Sequence, residues 1–457
     1  MASQDIHWQE SLARLADVFK VPELKNRIFF VAGMFALFVI GLHIPAPFVN
    51  PDKISNLFNS GSIWSFIDMM SGGAFKRLSI LALGIVPYIN SSILMQLLGI
   101  AVPQIQKMQK EGEDGRKKIS SYTRMGTVIL AFLQAGGLSW YMYKSGVLET
   151  QALGVYTIIP LMVVMVAGTS FLMWVGEQLT DKGIGNGISL IIFAGIMIRL
   201  VPTIYQVFKS AIDNSSDNVL FAILKVGLLL AVFLGIIVFI TFVHQAVRQI
   251  PIQHARKVVG VRSVGGGNSY LPLKVVTAGV IPIIFAISVV TLPASIAQML
   301  LQNSGNTNPS LFIQFMLNLS PGQSWYGCLI YFLLVVFFTY FYTAVVYNVA
   351  DIADNLKKNG SFILGIRPGR ETERYVDKVL TRITFVGAMF LGLVAILPYI
   401  IPFISKIGSG GVIDSSASML APLMGGTSLL IVVGVALDTM KQMEAHLVMR
   451  HYEGFIK

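Results

Sequence analysis

The chain has 457 residues, of which 54% are hydrophobic and only 12% charged, where an ordinary soluble protein carries roughly a quarter charged residues. A soluble fold of this composition would have nowhere to put its surface, so the length reads as one membrane domain rather than several soluble ones. The formal net charge of +11 marks the cytoplasmic loops of a membrane protein rather than nucleic-acid binding, and the single cysteine, Cys328, excludes an intramolecular disulfide and a cysteine-based metal cluster.

Residues 1–24 are polar and mixed in charge, and no secretory signal is read there. Leu12, Leu15 and Phe19 recur at helical spacing. This fits either a short amphipathic helix on the membrane surface or an ordinary solvated helix. A membrane helix needs about 20 mostly apolar residues. Ten such runs follow, near 27–46, 77–101, 121–143, 154–175, 186–207, 219–243, 274–300, 325–348, 381–404 and 417–438. Lys25 and Arg27 flank the first run, which places the N-terminus inside. All but eight of the 34 Lys and Arg then fall on inside segments. The exceptions are Lys53, Lys76, Arg77, Lys144, Arg199, Lys209, Lys225 and Lys406. The bias agrees with the positive-inside rule and supports ten spans, because one missed span would invert the alternation. The expected organisation is an inside segment 1–26, a five-span half 27–210, a second half 211–440 and an inside tail 441–457.

The outside segment 47–76 carries a short apolar stretch from Ile63 through Phe66 and Ile67 to Met70, followed by Gly72 and Gly73. The stretch is too short to span and reads as a re-entrant helix ending at the glycine pair. Irregular backbone at that depth has to be buried in protein or face water. In the second span, Asn90, Ser91, Ser92 and Gln96 form a polar face, and Ser288, Thr291 and Ser295 do the same in the seventh. Hydrogen bonds of this kind are worth about 0.6–2 kcal/mol each, so such a seam is either static or weak enough to part. Gly183, Gly185 and Gly187 read as a tight inside turn that opens the fifth span. Two inside loops of about thirty residues, 244–273 and 349–380, are basic, with Arg248, Arg256, Lys257 and Arg262 in the first and Lys357, Lys358, Arg367, Arg370, Arg374 and Lys378 in the second. Their length exceeds what topology requires and fits contact with an acidic or RNA-containing partner.

No Asp, Glu, Lys or Arg is expected near the centre of any span. Glu177, Asp181, Asp351, Asp354 and Asp438 sit at helix ends and in loops, where capping explains them. No histidine pair has ligand spacing, and no nucleophile–base constellation stands out, so neither a metal, a cofactor nor catalysis is expected. The missing intramembrane charges count against the main alternative, an ion-coupled solute transporter.

Two patterns each occur twice, in the same order. Gly84-Ile85-Val86-Pro87-Tyr88-Ile89 matches Gly279-Val280-Ile281-Pro282-Ile283-Ile284, and Gly187-Ile188-Ser189-Leu190-Ile191-Ile192 matches Gly426-Thr427-Ser428-Leu429-Leu430-Ile431. They fall in spans 2 and 5 and then in spans 7 and 10, and five spans per half make the repeat inverted, as in many transport proteins. All four fragments end on isoleucine. Ile85 and Ile188 lie one turn before Ile89 and Ile192, on the same faces. Converging at one depth, these side chains would form a constriction that seals by dewetting and offers no ion a ligand.

Several of these motifs resemble one family. Met70-Ser71-Gly72-Gly73-Ala74 with Ala82-Leu83-Gly84-Ile85-Val86-Pro87-Tyr88-Ile89, Gly183-Ile184-Gly185-Asn186-Gly187-Ile188-Ser189, Leu271-Pro272-Leu273-Lys274, Gly365-Ile366-Arg367-Pro368-Gly369 and Gly425-Gly426-Thr427-Ser428-Leu429-Leu430-Ile431 are similar, in order, to segments of the bacterial SecY family of protein-conducting channels. The resemblance implies an all-α polytopic fold with ten transmembrane helices in two inverted halves around a central pore. It implies a pore ring of Ile85, Ile89, Ile188, Ile192, Ile284 and Ile431, and a plug over 62–74 including Ile63, Phe66, Ile67, Met70, Gly72 and Gly73. It also implies a lateral gate involving Asn90, Ser92, Gln96, Ser288 and Thr291. Arg256, Lys257, Arg262 and Arg367 would contact the SecA motor or the ribosome, and SecE and SecG would stand beside the chain. Signal sequences, unfolded polypeptides and membrane lipids would be its other partners, in the bacterial plasma membrane with both termini cytoplasmic. One departure is the tip Gly265-Gly266-Gly267, where the bacterial family often carries a denser basic run.

Overall fold

In a computed structural model, described residues are 21–49, 68, 71–148, 155–213, 219–254, 257–259, 262–264, 268–304, 310–321, 324–408 and 426–453. Helices α1 (Pro22–His43), α2 (Val86–Ala101), α3 (Pro103–Lys110), α4 (Glu113–Lys144), α5 (Val155–Lys182), α6 (Gly187–Asp213) and α7 (Val219–Gln245) come first. Strands β1 (Val247–His254), β2 (Lys257–Val259), β3 (Arg262–Val264) and β4 (Asn268–Lys274) follow, then α8 (Ile281–Ser304), α9 (Leu311–Asn318), α10 (Trp325–Val346), α11 (Val349–Lys358), β5 (Ser361–Ile363), α12 (Arg370–Gly408) and α13 (Gly426–Glu453). Each of the ten expected spans overlaps one of these helices, although residues 417–425 of the tenth lie outside the described residues. Among the described residues, six of them, α1, α4, α5, α6, α10 and α12, are long and apolar enough to cross a membrane, or seven if α2 and α3, bent by 105° at their junction, count as one span. The chain is a multi-pass helical membrane protein. Side chains such as Phe29, Leu133, Val163, Phe239 and Leu333 are exposed because hydrocarbon, not water, is their solvent.

The chain divides into two compact units. One holds Met1–Gln206, Ser295–Ile313 and Ile431–Lys457, the other Val207–Ala294 and Gln314–Leu430. In the first, the second span begins later than its hydropathy predicts. Residues 71–85 form successive turns, and the helix starts only at Val86. Leu78 at φ 42° and Gly84 at φ 59° are incompatible with helix continuation, and Pro87 suits the first helical turn. This irregular stretch is buried, as the bilayer demands. Phe75, Leu78, Ala82 and Leu83 pack with Ala135, Leu138 and Met142 of α4 and Leu161 and Met165 of α5. Its backbone is paired too: Ala46 N–H donates to Leu78 C=O at 2.8 Å and Ile80 N–H to Ile44 C=O at 3.0 Å. It also rests directly on α5, where a Cβ on Gly168 would lie 2.0 Å from the Ile80 carbonyl oxygen. Asn186 caps α6 by accepting from the amides of Ile188 and Ser189.

In the second unit, α10 and α12 pack through aromatic contacts, with Tyr331 edge-on to Tyr399 at 6.4 Å. Phe285 of α8 meets Phe338 and Tyr342 of α10 in the same manner. The two long basic loops, expected as loops, are largely ordered into secondary structure. β1 pairs antiparallel with β4 of its own loop and with β5 of the other loop, giving the order β4-β1-β5. Ile250, Leu273, Ile363 and Val376 form the buried core beneath this sheet. His254 sits at the junction, its Nδ1 2.7 Å from Ser361 Oγ and its Nε2 2.8 Å from Ser269 Oγ.

The local structure also repeats with the sequence. Gly84 and Gly279 both adopt left-handed backbone, at φ 59° and 62°. In each case a helix starts two residues later with proline at its second position. Gly187 and Gly426 each open a helix.

Gly168→Val, forced against a backbone carbonyl, is expected to destabilise the protein by about 1–3 kcal/mol. A lowered thermal unfolding temperature in detergent checks this, with Gly33→Val, which meets no atom within 4 Å, as the unaffected control. His254→Ala removes both links at the sheet junction, each worth about 1 kcal/mol net. Limited trypsin digestion of the two loops should accelerate roughly fivefold or more, while the helices remain protected.

Candidate functional site

The six isoleucines of the expected ring stand at the start of four helices. Ile85 caps α2 and Ile89 lies one turn into it. Ile188 and Ile192 occupy the first two turns of α6, Ile284 the first turn of α8, and Ile431 the second turn of α13. Ile85, Ile192, Ile284 and Ile431 are buried; Ile89 and Ile188 are partly so. Ile188 also lies over α5, where a Cβ on Gly176 would come within 3.2 Å of its Cγ1. These side chains carry no hydrogen-bonding group, so none of them can bind an ion or a peptide backbone.

Of the expected plug, Ile63, Phe66, Ile67 and Met70 lie outside the described residues. Its end is described. Gly72 and Gly73 take φ 70° and 88°, which suits a glycine pair closing a helix. Gly73 N–H donates to the Asp68 carbonyl at 2.8 Å, and Ser71 Oγ donates to the same carbonyl at 3.1 Å. The Asp68 carboxylate in turn accepts from the Lys76 amide at 2.6 Å. The same carboxylate is paired with Arg199 of α6.

That pair corrects the expectation that no charge lies near the centre of a span. Because α6 runs on to Asp213, Arg199 is mid-helix rather than at an outer end. Asp68 is 2% exposed, and the Arg199 side chain 29%. The pair was missed in the sequence, although Asp68 is the lone charge in its apolar stretch and Arg199 falls in register with Ile188 and Ile192 on one helix face.

The polar face of α2 is divided. Ser91 is buried and donates to the Thr123 carbonyl of α4 at 2.8 Å, so it serves static packing. Asn90, Ser92 and Gln96 are half-exposed, with Gln96 Nε2 donating to Ser92 Oγ at 3.4 Å. On α8, Ser288 and Thr291 are also half-exposed, and Thr291 Oγ1 bonds the Ser288 carbonyl at 3.3 Å. Among the described residues, Asn90, Ser92, Gln96 and Ser288 are not held by an interhelical bond of the Ser91 kind.

Of the basic contacts, Arg256 lies outside the described residues, and Lys257 and Arg262 belong to the two-stranded β2–β3 hairpin. Arg367 is exposed on the turn after β5, between Gly365 at φ 78° and Gly369 at φ 110°. Thr372 Oγ1 holds that turn by donating to the Arg367 carbonyl at 2.9 Å. Among the described residues no three His, Cys, Asp or Glu side chains come together as metal ligands would.

Known proteins are similar to the chain in sequence and in fold. The family model described as SecY matches residues 79–440. The protein translocase subunit SecY of Halalkalibacterium halodurans is 42% identical over 446 residues, which cover 97% of this chain and 99% of that protein. Its namesake in Pseudomonas aeruginosa is 43% identical over 440 residues, covering 96% of this chain and 94% of that one. Among solved structures, one described as showing that the SecY plug domain stabilises the closed state of the translocation channel aligns with a TM-score of 0.63 at 18% identity, over 93% of this chain and 92% of that one. Sec61 in the canine ribosome–channel complex aligns at 0.57 and 15% identity, over 93% of both chains. The chain belongs to the SecY family.

Proposed function

We propose that the chain is the protein-conducting subunit of a Sec translocase, passing unfolded secretory polypeptides across the membrane and releasing hydrophobic segments sideways into lipid. The observation that carries this reading is the likeness, over nearly the whole chain, to translocase subunits at about 42% identity. The residue chemistry agrees with it. A collar of Ile85, Ile89, Ile188, Ile192, Ile284 and Ile431 resists water and ions in the resting state, yet makes no bond that would hold a moving chain. The segment around 62–74 plugs the closed channel. A signal sequence parts the half-exposed polar residues Asn90, Ser92 and Gln96 from Ser288 and Thr291, bonds that cost only about 0.6–2 kcal/mol each. Leu, Ile, Phe and Val each favour the membrane by roughly 0.3–0.6 kcal/mol, whereas one Lys, Arg or Asp opposes it by roughly 2.5–3.5 kcal/mol. A dozen apolar residues therefore suffice to send a segment into lipid, and a few charges keep it in the pore.

The chain has no enzymatic role in this reading. Energy comes from SecA or the ribosome, docked through Arg256, Lys257, Arg262 and above all the exposed Arg367. The sheet that joins both basic loops makes them one platform, so force applied to either reaches both. SecE and SecG complete the complex in the bacterial plasma membrane, with both termini cytoplasmic. The rival transporter reading gains a mid-helix charge in Arg199, but its partner Asp68 already neutralises it.

Cross-linking a stalled secretory chain to positions beside Ile89 and Ile284 tests the pathway directly; absence of adducts at both refutes it. Ile431→Asn or Ile284→Asn should raise ion leak and the export of a reporter with a defective signal sequence severalfold. Wild-type values of both would remove the collar from the mechanism. Arg367→Glu should cut SecA-driven export at least tenfold while complex assembly is retained; normal export refutes the docking role.

A further inference from the structure

We infer that the Asp68–Arg199 ion pair is a latch that holds the plug against α6 just beyond the isoleucine collar, and so sets how stringently the channel demands a signal sequence. The inference rests on the channel reading given above.

Four residues of α6 line up at intervals of four, three and four: Ile188, Ile192, Gly195 and Arg199. This spacing keeps them on one helix face. Two are collar residues. The other two meet the end of the plug. A Cβ on Gly72 would come within 3.0 Å of the Gly195 Cα, and one on Gly73 within 3.8 Å of Arg199 Cδ. The chain at Gly72 thus lies flat on α6, one turn past Ile192, and a side chain at Gly72 would crowd the α6 backbone. Asp68 then reaches Arg199 one turn further on.

Depth makes this contact consequential. Arg199 lies roughly 18 Å along α6 from Gly187 at 1.5 Å per residue, within a hydrocarbon core of about 30 Å. A charge at that depth is costly unless paired. Asp68 supplies the counter-charge, and its second oxygen accepts the Lys76 amide. Lys76 and Arg77 also act on Asp68 electrostatically. Removing one partner of such a pair costs more than removing both. A plug that leaves its seat separates these two groups, and the pair therefore weights the equilibrium toward closure. Export chain and signal sequence must supply the difference.

The test uses the complete complex in cells, with a normal reporter and one with a defective signal sequence. Asp68→Asn and Arg199→Gln should each raise export of the defective reporter about tenfold. Arg199→Lys, which keeps the charge, should stay within about twofold of wild type. The Asp68→Asn/Arg199→Gln double variant should be no more relaxed than either single one, since partners in one contact do not act additively. Unchanged stringency in the single variants, multiplying effects in the double, or Arg199→Lys as relaxed as Arg199→Gln would each overturn the latch. If a single variant fails to accumulate in the membrane, a stringent Arg199→Lys beside a relaxed double variant supports the latch, and the reverse overturns it. Export of the normal reporter by wild type separates the two levels: its absence refutes the channel itself, and its presence with unaltered variants refutes only the latch.

Discussion

Hydrocarbon offers backbone N–H and C=O groups no partner, and this constraint shapes nearly every feature of the chain. Helices satisfy it internally. The stretch 71–85 does not form a helix, so it must be enclosed by protein and paired, and it is: α4 and α5 cover it, and the strand-like residues 44–46 bond its amides and carbonyls. The glycines follow from the same demand. Gly168 lets a carbonyl approach α5, and Gly72 approaches the α6 backbone at Gly195. Where the backbone leaves helical form inside the membrane, a neighbour without a side chain receives it.

The same economy governs charge. A translocation pathway for arbitrary polypeptides has to avoid fixed ligands, and isoleucine at the proposed collar positions would meet that need. The one mid-helix charge on α6 is matched by Asp68 from the end of the plug. Its presence there is understandable as a device that acts only while the plug is seated. Outside the membrane the design is different: the two basic loops share a sheet, with Ile252 opposite Ile363 and His254 opposite Ser361. A surface that received force from a partner, as proposed for these loops, would need such cross-bracing, because independent loops would bend instead of transmitting it.

Much of this was legible in the sequence. Helix positions followed from hydropathy because a spanning helix must be apolar over about 20 residues whatever surrounds it. The inverted repeat was readable because Gly84 and Gly279 carry the same left-handed turn, and only glycine adopts it readily. Gly183, Gly185 and Gly187 announced the turn before α6 for a similar reason. The late start of α2 was missed, since residues 77–85 are as apolar as a helix and only contact with α4 and α5 explains their turns. The loops' sheet was missed because β1 finds β5 across more than a hundred residues, and three-residue Ser361–Ile363 carries no periodicity of its own.

The sequence by itself determined the membrane class, the ten apolar segments, the glycine turns and the isoleucine set. Each depends on local composition facing a known solvent, so no distant contact was needed to read it. Only the tertiary structure decided that Arg199 meets Asp68, that Ser91 is committed to α4 while Asn90 and Ser92 are not, and that both basic loops form one sheet. These outcomes depend on which distant groups become neighbours, and a buried charge or strand has no local property that names its partner.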